Sequence, residues 1–153
     1  MLSSTIYGGV PMSEWRNLLN NGNDNFHNGK LQEAEYCYKE AAFHLDFLWS
    51  ANTTKVSLLM AWICTYHNLA SLFEAQDNPD LSLQYLLIPH KRMLLECNSD
   101  DCCEDTKLIT HNALKITFMP ILMFSKRHPI CETCLESLSE FKADLNLKQP
   151  ITH

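Results

Sequence analysis

A chain of 153 residues has room for one hydrophobic core and rarely for two. Four Gly and six Pro, set against 46% hydrophobic and 20% charged residues, exclude a composition that stays disordered. A formal net charge of -6 excludes the clustered Lys and Arg needed to displace counterions from a nucleic-acid backbone.

No uninterrupted apolar run approaches the roughly 20 residues of a membrane span; residues 116–124 form a short run holding Pro120, and no membrane contact is expected. Residues 1–12 have neither a basic start nor a sustained apolar stretch, so they do not resemble a secretory signal. They read as a disordered or extended N-terminal tail. Seven Cys is an odd number, and Cys37 and Cys64 fall in apolar helical patterns where a small hydrophobe suits a core. A reducing cytoplasm is the expected setting.

Residues 13–27 form the first expected helix, with Ser13 as cap and Trp15, Leu18, Leu19 and Phe26 as an imperfect apolar stripe. Asn28-Gly29-Lys30 supplies a turn. The second helix, 31–49, spaces Leu31, Ala34, Tyr38, Ala41, Ala42, Leu45 and Leu48 as one core-facing row. Asn52-Thr53 caps a third, 56–75, which is apolar around much of its circumference and therefore central.

Residues 76–80 break the pattern before a fourth helix, 81–97, in which Pro89 predicts a kink or local break. Residues 98–105 are acidic and rich in turn formers, which predicts a loop. A fifth helix, 106–125, again holds an internal proline, Pro120. A sixth, 130–147, carries Leu135, Leu138, Phe141 and Leu145, and residues 148–153 read as a frayed tail. The expectation is an all-α domain over 13–147, with six antiparallel helices in three hairpins.

Where helices cross within about 8–10 Å, the contact needs a small residue beside a large filler. Residues 22–42, GNDNFHNGKLQEAEYCYKEAA, supply Gly22, Ala34 and Ala41 as small residues and Tyr38 as filler. The register returns over residues 66–86 with Ala70 and Ser82 small and Phe73 and Leu86 large. This pattern resembles the tetratricopeptide repeat, and the resemblance implies a right-handed superhelix that acts as an adaptor or chaperone-like scaffold. The spacing departs from the family's roughly 34 residues, since Gly22 and Ala70 lie 48 apart and Ala70 and Ala113 lie 43 apart.

The same resemblance implies a protein or peptide partner held on the first helices of the hairpins. Asn23 and Asn68 match asparagine positions that grip a terminal carboxylate, and Lys107 and His111 match basic positions of the third repeat. Leu19 stands where a lysine is expected. The alternative for these polar residues is a solvated surface.

Cys97, Cys102, Cys103, Cys131 and Cys134 form a second grouping with His128 nearby, and His128, Cys131 and Cys134 have spacing that soft metal ligands use. A zinc site on Cys102, Cys103, His128, Cys131 and Cys134, a redox switch, and plain buried thiols are the three readings. The baseline expectation is no cofactor. Residues 90–92 and 126–128 are small basic patches able to face an acidic partner, or simply solvated helix ends.

The aromatic set Trp15, Tyr36, Tyr38, Phe43, Phe47, Trp49, Trp62 and Tyr66 is expected in the core. Residues 81–95 and 119–124 are more apolar than one buried face needs, which points to a homodimer or a larger structural homo-oligomer. No nucleophile motif, phosphate loop or acid–base set appears, so no catalysis is expected.

Overall fold

The computed structural model describes residues 6–7, 10–11, 14–51, 55–99 and 104–129. A two-residue ladder pairs β1 (Ile6–Tyr7) with β2 (Val10–Pro11), antiparallel, ahead of the helices. Five helices follow: α1 (Glu14–His27), α2 (Leu31–Ala51), α3 (Val56–Ala75), α4 (Pro79–Cys97) and α5 (Glu104–Arg127). Each packs on the next in sequence, and α5 also reaches α3. The architecture is all-helical, and the sixth helix expected over 130–147 lies outside the described residues.

The small-to-large alternation read from the sequence is physical. Ala34, Tyr38 and Ala41 are buried in α2, and a Cβ placed on Gly22 would stand 2.7 Å from Cε1 of Tyr38 and 3.3 Å from Cβ of Cys37. The tight contact of Gly22 is thus with the Tyr38 ring. In the second hairpin Ala70, Phe73, Ser82 and Leu86 are all buried, and Ser82 Oγ donates to the Ala70 carbonyl at 2.7 Å.

The two hairpin turns are the same device 48 residues apart. At the end of α1, Lys30 N–H donates to Asn25 O at 2.8 Å and Gly29 N–H to Phe26 O at 3.1 Å. At the end of α3, Asn78 N–H donates to Phe73 O at 2.9 Å and Asp77 N–H to Glu74 O at 3.0 Å. Both are Schellman turns, closed by a left-handed residue with φ of 75° at Gly29 and 59° at Asp77. Asn78 then caps α4 by accepting from Leu81 N–H at 3.3 Å, so α4 starts two residues earlier than the apolar pattern suggested.

Several expectations are corrected. No break occurs at Pro89, through which α4 is continuous, as α5 is through Pro120. The expected loop over 98–105 is shorter, because α5 already begins at Glu104. Lys55 takes the N-cap position of α3, with no side-chain cap bond, and Asn52 and Thr53 lie outside the described residues.

Three of the eight aromatic residues assigned to the core are exposed: Tyr36, Phe43 and Phe47. They recur at seven and four residues and so share one face of α2, opposite the row of Ala34, Tyr38, Ala41, Leu45 and Leu48. Cys64 is exposed as well, whereas Cys37 is buried.

The main core runs from Trp15 in α1 to Leu114 in α5, and a second cluster of Ala70, Leu86, Ile121 and Phe124 ties α3, α4 and α5 together. By length and composition alone, α3 and α5 are apolar enough to cross a membrane, although no run in them is uninterrupted. In this fold α3 places that surface against α2 and α4, with ten buried residues.

Candidate functional site

The two faces of α3 lead to two different surfaces. Cys64, Asn68 and Ser71, spaced four and three apart, point away from the core with Cys64 and Ser71 exposed, while Trp62, Tyr66 and Phe73 occupy the opposite side.

On the first surface, Asn23 of α1 and Asn68 of α3 meet although they lie 45 residues apart. Asn68 Nδ2 donates to Asn23 Oδ1 at 3.4 Å, and Tyr38 OH donates to the same oxygen at 2.7 Å. With its oxygen committed, Asn23 offers its amide hydrogens to anything that docks there. Asn68 also contacts Cys64 Sγ at 3.9 Å. Burial pushes the Tyr38 hydroxyl up to about 12, with the Cys64 and Cys37 thiols adding to the rise. Although Cys64 is exposed as a residue, partial desolvation of its sulfur by the neighbouring helices raises the thiol as well, so both groups are neutral near neutral pH.

The basic partners expected from the sequence are not beside this pair. Three contacts set the helices in register: Ser82 Oγ with Ala70 O, His90 Nδ1 with Thr117 Oγ1 at 3.1 Å, and Arg127 with Glu74. At a 1.5 Å rise per residue, these put Asn68 level with the Met123 turn of α5, with His111 roughly 15–18 Å and Lys107 roughly 21–24 Å away along the axis. Lys107 and His111 are half-buried in the first turns of α5, with no hydrogen bond or ion pair to either asparagine among the described residues.

What does stand level with Asn68 is Met119 and Met123, 51% and 47% exposed, with Arg127 one turn beyond. Arg127 grips Glu74 through Nε at 2.8 Å and a second nitrogen at 3.0 Å, and its hydrogen bond holds the Glu74 carboxyl below the usual carboxylate range. In the sequence the two methionines belong to the apolar excess of residues 119–124. Their level along the stack depends on inter-helix register, which no local pattern carries.

The second surface is a groove of about 460 Å³ between α2 and α4, lined by Asp46, Trp49, Ser50, Trp62, Tyr66, Ile88, Lys91, Arg92 and Leu95. A column of rings lies beneath it. Trp49 stacks on Trp62 at 5.0 Å, Tyr66 meets Trp62 edge-on at 5.2 Å, and Tyr85 bridges from Tyr66 to a parallel stack with Phe73 at 5.3 Å. Cations cover both ends, Arg92 over Trp49 at 4.9 Å and Lys39 over Phe73 at 5.9 Å. Midway, the Asp46 carboxylate accepts from Trp62 Nε1 and from Tyr66 OH at 3.2 Å. Burial, and then the charge of Asp46, raise the Tyr66 hydroxyl far above its ordinary value.

Of the five residues grouped as metal ligands, Cys102, Cys103, Cys131 and Cys134 lie outside the described residues. His128 packs on Phe124, with ring centroids 4.6 Å apart, and its Nε2 lies 3.5 Å from Glu74 Oε1. Among the described residues no three His, Cys, Asp or Glu side chains gather as a metal site. No curated protein and no solved structure matches the chain. A family profile described as protein of unknown function, DUF2753, matches residues 13–153, and the chain belongs to that family.

Proposed function

We propose that the protein is a non-catalytic, tetratricopeptide-like scaffold that holds an extended peptide of a partner protein across the surface of α1, α3 and α5. The observation that carries this reading is the meeting of Asn23 and Asn68, brought together on an outward surface from positions 45 residues apart. Amides at this spacing suit a peptide backbone or a terminal carboxylate, each a strong acceptor for side-chain N–H groups. Met119 and Met123, exposed on α5 at the level of Asn68, offer adaptable apolar contact for the peptide's side chains.

The repeated Schellman turn and the steric pairing of Gly22 with Tyr38 support the hairpin stack, in which residues 130–147 would add the sixth helix. In this reading Lys107 and His111 are surface residues of α5, and Met119 and Met123 take their place at the site. Selection from a degenerate peptide library with free carboxyl termini tests the proposal. Enrichment of a peptide whose binding is lost in Met123→Glu supports it, and enrichment of no sequence over background refutes it.

A further inference from the structure

Asn23 and Asn68 do not present two equivalent amides. Asn23 Oδ1 accepts from Tyr38 OH at 2.7 Å and from Asn68 Nδ2 at 3.4 Å. A side-chain amide has one accepting oxygen and one donating nitrogen, so committing the oxygen leaves the nitrogen to donate elsewhere. Asn23 is exposed, and its Nδ2 makes no hydrogen bond among the described residues. Asn68 is the converse. Its Nδ2 is engaged with Asn23 and lies 3.9 Å from Cys64 Sγ, whereas its Oδ1 accepts nothing among the described residues. Asn68 Oδ1 is not a buried unpaired atom either, so solvent reaches it. The pair therefore shows one donor, Asn23 Nδ2, and one acceptor, Asn68 Oδ1.

Tyr38 sets this polarity. It is 2% exposed, and its ring lies so close to α1 that a Cβ does not fit at Gly22, so its hydroxyl reaches Asn23 from a fixed place. A carboxylate suits the resulting site poorly. It only accepts, so it would pair with Asn23 Nδ2 while setting lone pairs against those of Asn68 Oδ1. Arg127, one turn beyond, is committed to Glu74 through two hydrogen bonds, and Lys107 and His111 lie turns away. A main chain suits it well. In an extended segment the N–H and C=O of one residue point to the same side, the arrangement by which antiparallel strands exchange both bonds.

We infer that the Asn23–Asn68 pair holds the main-chain N–H and C=O of one residue within an extended internal segment of the partner, with Tyr38 as the positioning residue that leaves Asn23 Nδ2 free to donate. This rests on the reading of the surface as a peptide site and narrows it. The peptide C=O accepts from Asn23 Nδ2, the peptide N–H donates to Asn68 Oδ1, and a free carboxyl terminus is not required.

Two degenerate peptide libraries of one design, with free and with amidated carboxyl termini, test the inference on the full chain. Both should enrich the same sequences to the same extent. In the most enriched peptide, replacing an internal amide by an ester removes its N–H, and one such position should weaken binding about two- to tenfold, the worth of one hydrogen bond. That ester should bring no further loss in Asn68→Ala. Asn23→Asp keeps the acceptor that Tyr38 and Asn68 use and removes the free donor, so it should weaken binding without lowering the thermal midpoint. Tyr38→Phe keeps the ring and should weaken binding of the amidated peptide as well. Should Tyr38→Phe fail to fold, Asn23→Asp and the ester series decide. Enrichment confined to free carboxyl termini, or an ester series with no sensitive position, overturns the inference while the scaffold reading stands. Enrichment in neither library refutes the scaffold reading and the inference with it.

Discussion

Gly22 and Tyr38 are in such close contact that a Cβ on Gly22 would meet the Tyr38 ring at 2.7 Å, closer than real Cβ atoms approach. Tyr38 is buried and its hydroxyl is tied to Asn23, so the ring has no room to retreat. Gly22→Ala should therefore destabilise the protein by about 1–3 kcal/mol, the usual range for overpacking. Urea denaturation reads this as a lower midpoint at unchanged slope. Because alanine is the better helix former, an unchanged or higher midpoint would show that α1 can shift freely away from α2.

Asp77 closes the second hairpin turn with φ of 59°, a conformation in which glycine carries no steric penalty. Asp77→Gly should stabilise the fold, seen as a raised thermal midpoint, by less than the roughly 1–2 kcal/mol that a left-handed conformation costs an L residue, because glycine also loses more chain entropy on folding. The opposite change, Gly29→Ala at φ of 75°, should lower it, although open space surrounds that position. Equal midpoints for all three chains would mean that the turns do not limit stability.

Asp46 accepts from both Trp62 and Tyr66, and its loss leaves two donors facing the groove without their acceptor. Asp46→Ala should cost about 1–3 kcal/mol per donor left unpaired, less where water reaches it. Near-ultraviolet circular dichroism should change with it, since Trp49, Trp62 and Tyr66 form one stacked set. Asp46→Asn keeps an acceptor and should cost less.

Burial holds His90 at about 4, against 6.5 for an ordinary histidine. Between those values the unfolded chain binds a proton that the folded chain does not, so stability rises with pH there and falls on acidification. The loss begins near pH 6.5, amounts to about 3 kcal/mol when complete, and levels off below about 4. His67, also lowered by burial, acts in the same direction. Glu74, held low by Arg127, loses its contribution only as pH falls below the ordinary carboxylate value. His90→Gln should flatten the slope between pH 6.5 and 4 in chemical denaturation, and an unaltered slope would assign it elsewhere.

Much of the scaffold was legible in the sequence because local rules govern it. The row from Ala34 to Leu48, the turn at Gly29 and the bounds of α3 follow from helical periodicity and positive-φ chemistry. What the sequence concealed depends on neighbours. Nothing local distinguishes Phe43, on the outer face of α2, from the buried Trp49 unless the whole apolar row is phased first. Lys107 and His111 were placed by repeat register, but the long helices of this chain shift that register by several turns, so Met123 rather than His111 comes level with Asn68. Asn23 and Asn68 each match an asparagine position of the repeat family, and their contact is a tertiary fact that no periodicity contains.

The central claim is that Asn23 and Asn68 form a recognition site for a partner peptide. Calorimetric titration of the wild type and of an Asn23→Ala, Asn68→Ala double variant with a library-selected peptide tests it most directly, using the same peptide with its carboxyl terminus free and amidated. The account predicts that the double substitution weakens binding of the free-carboxylate peptide at least tenfold, while the folded circular dichroism spectrum is retained. Equal affinity of wild type and double variant would contradict it.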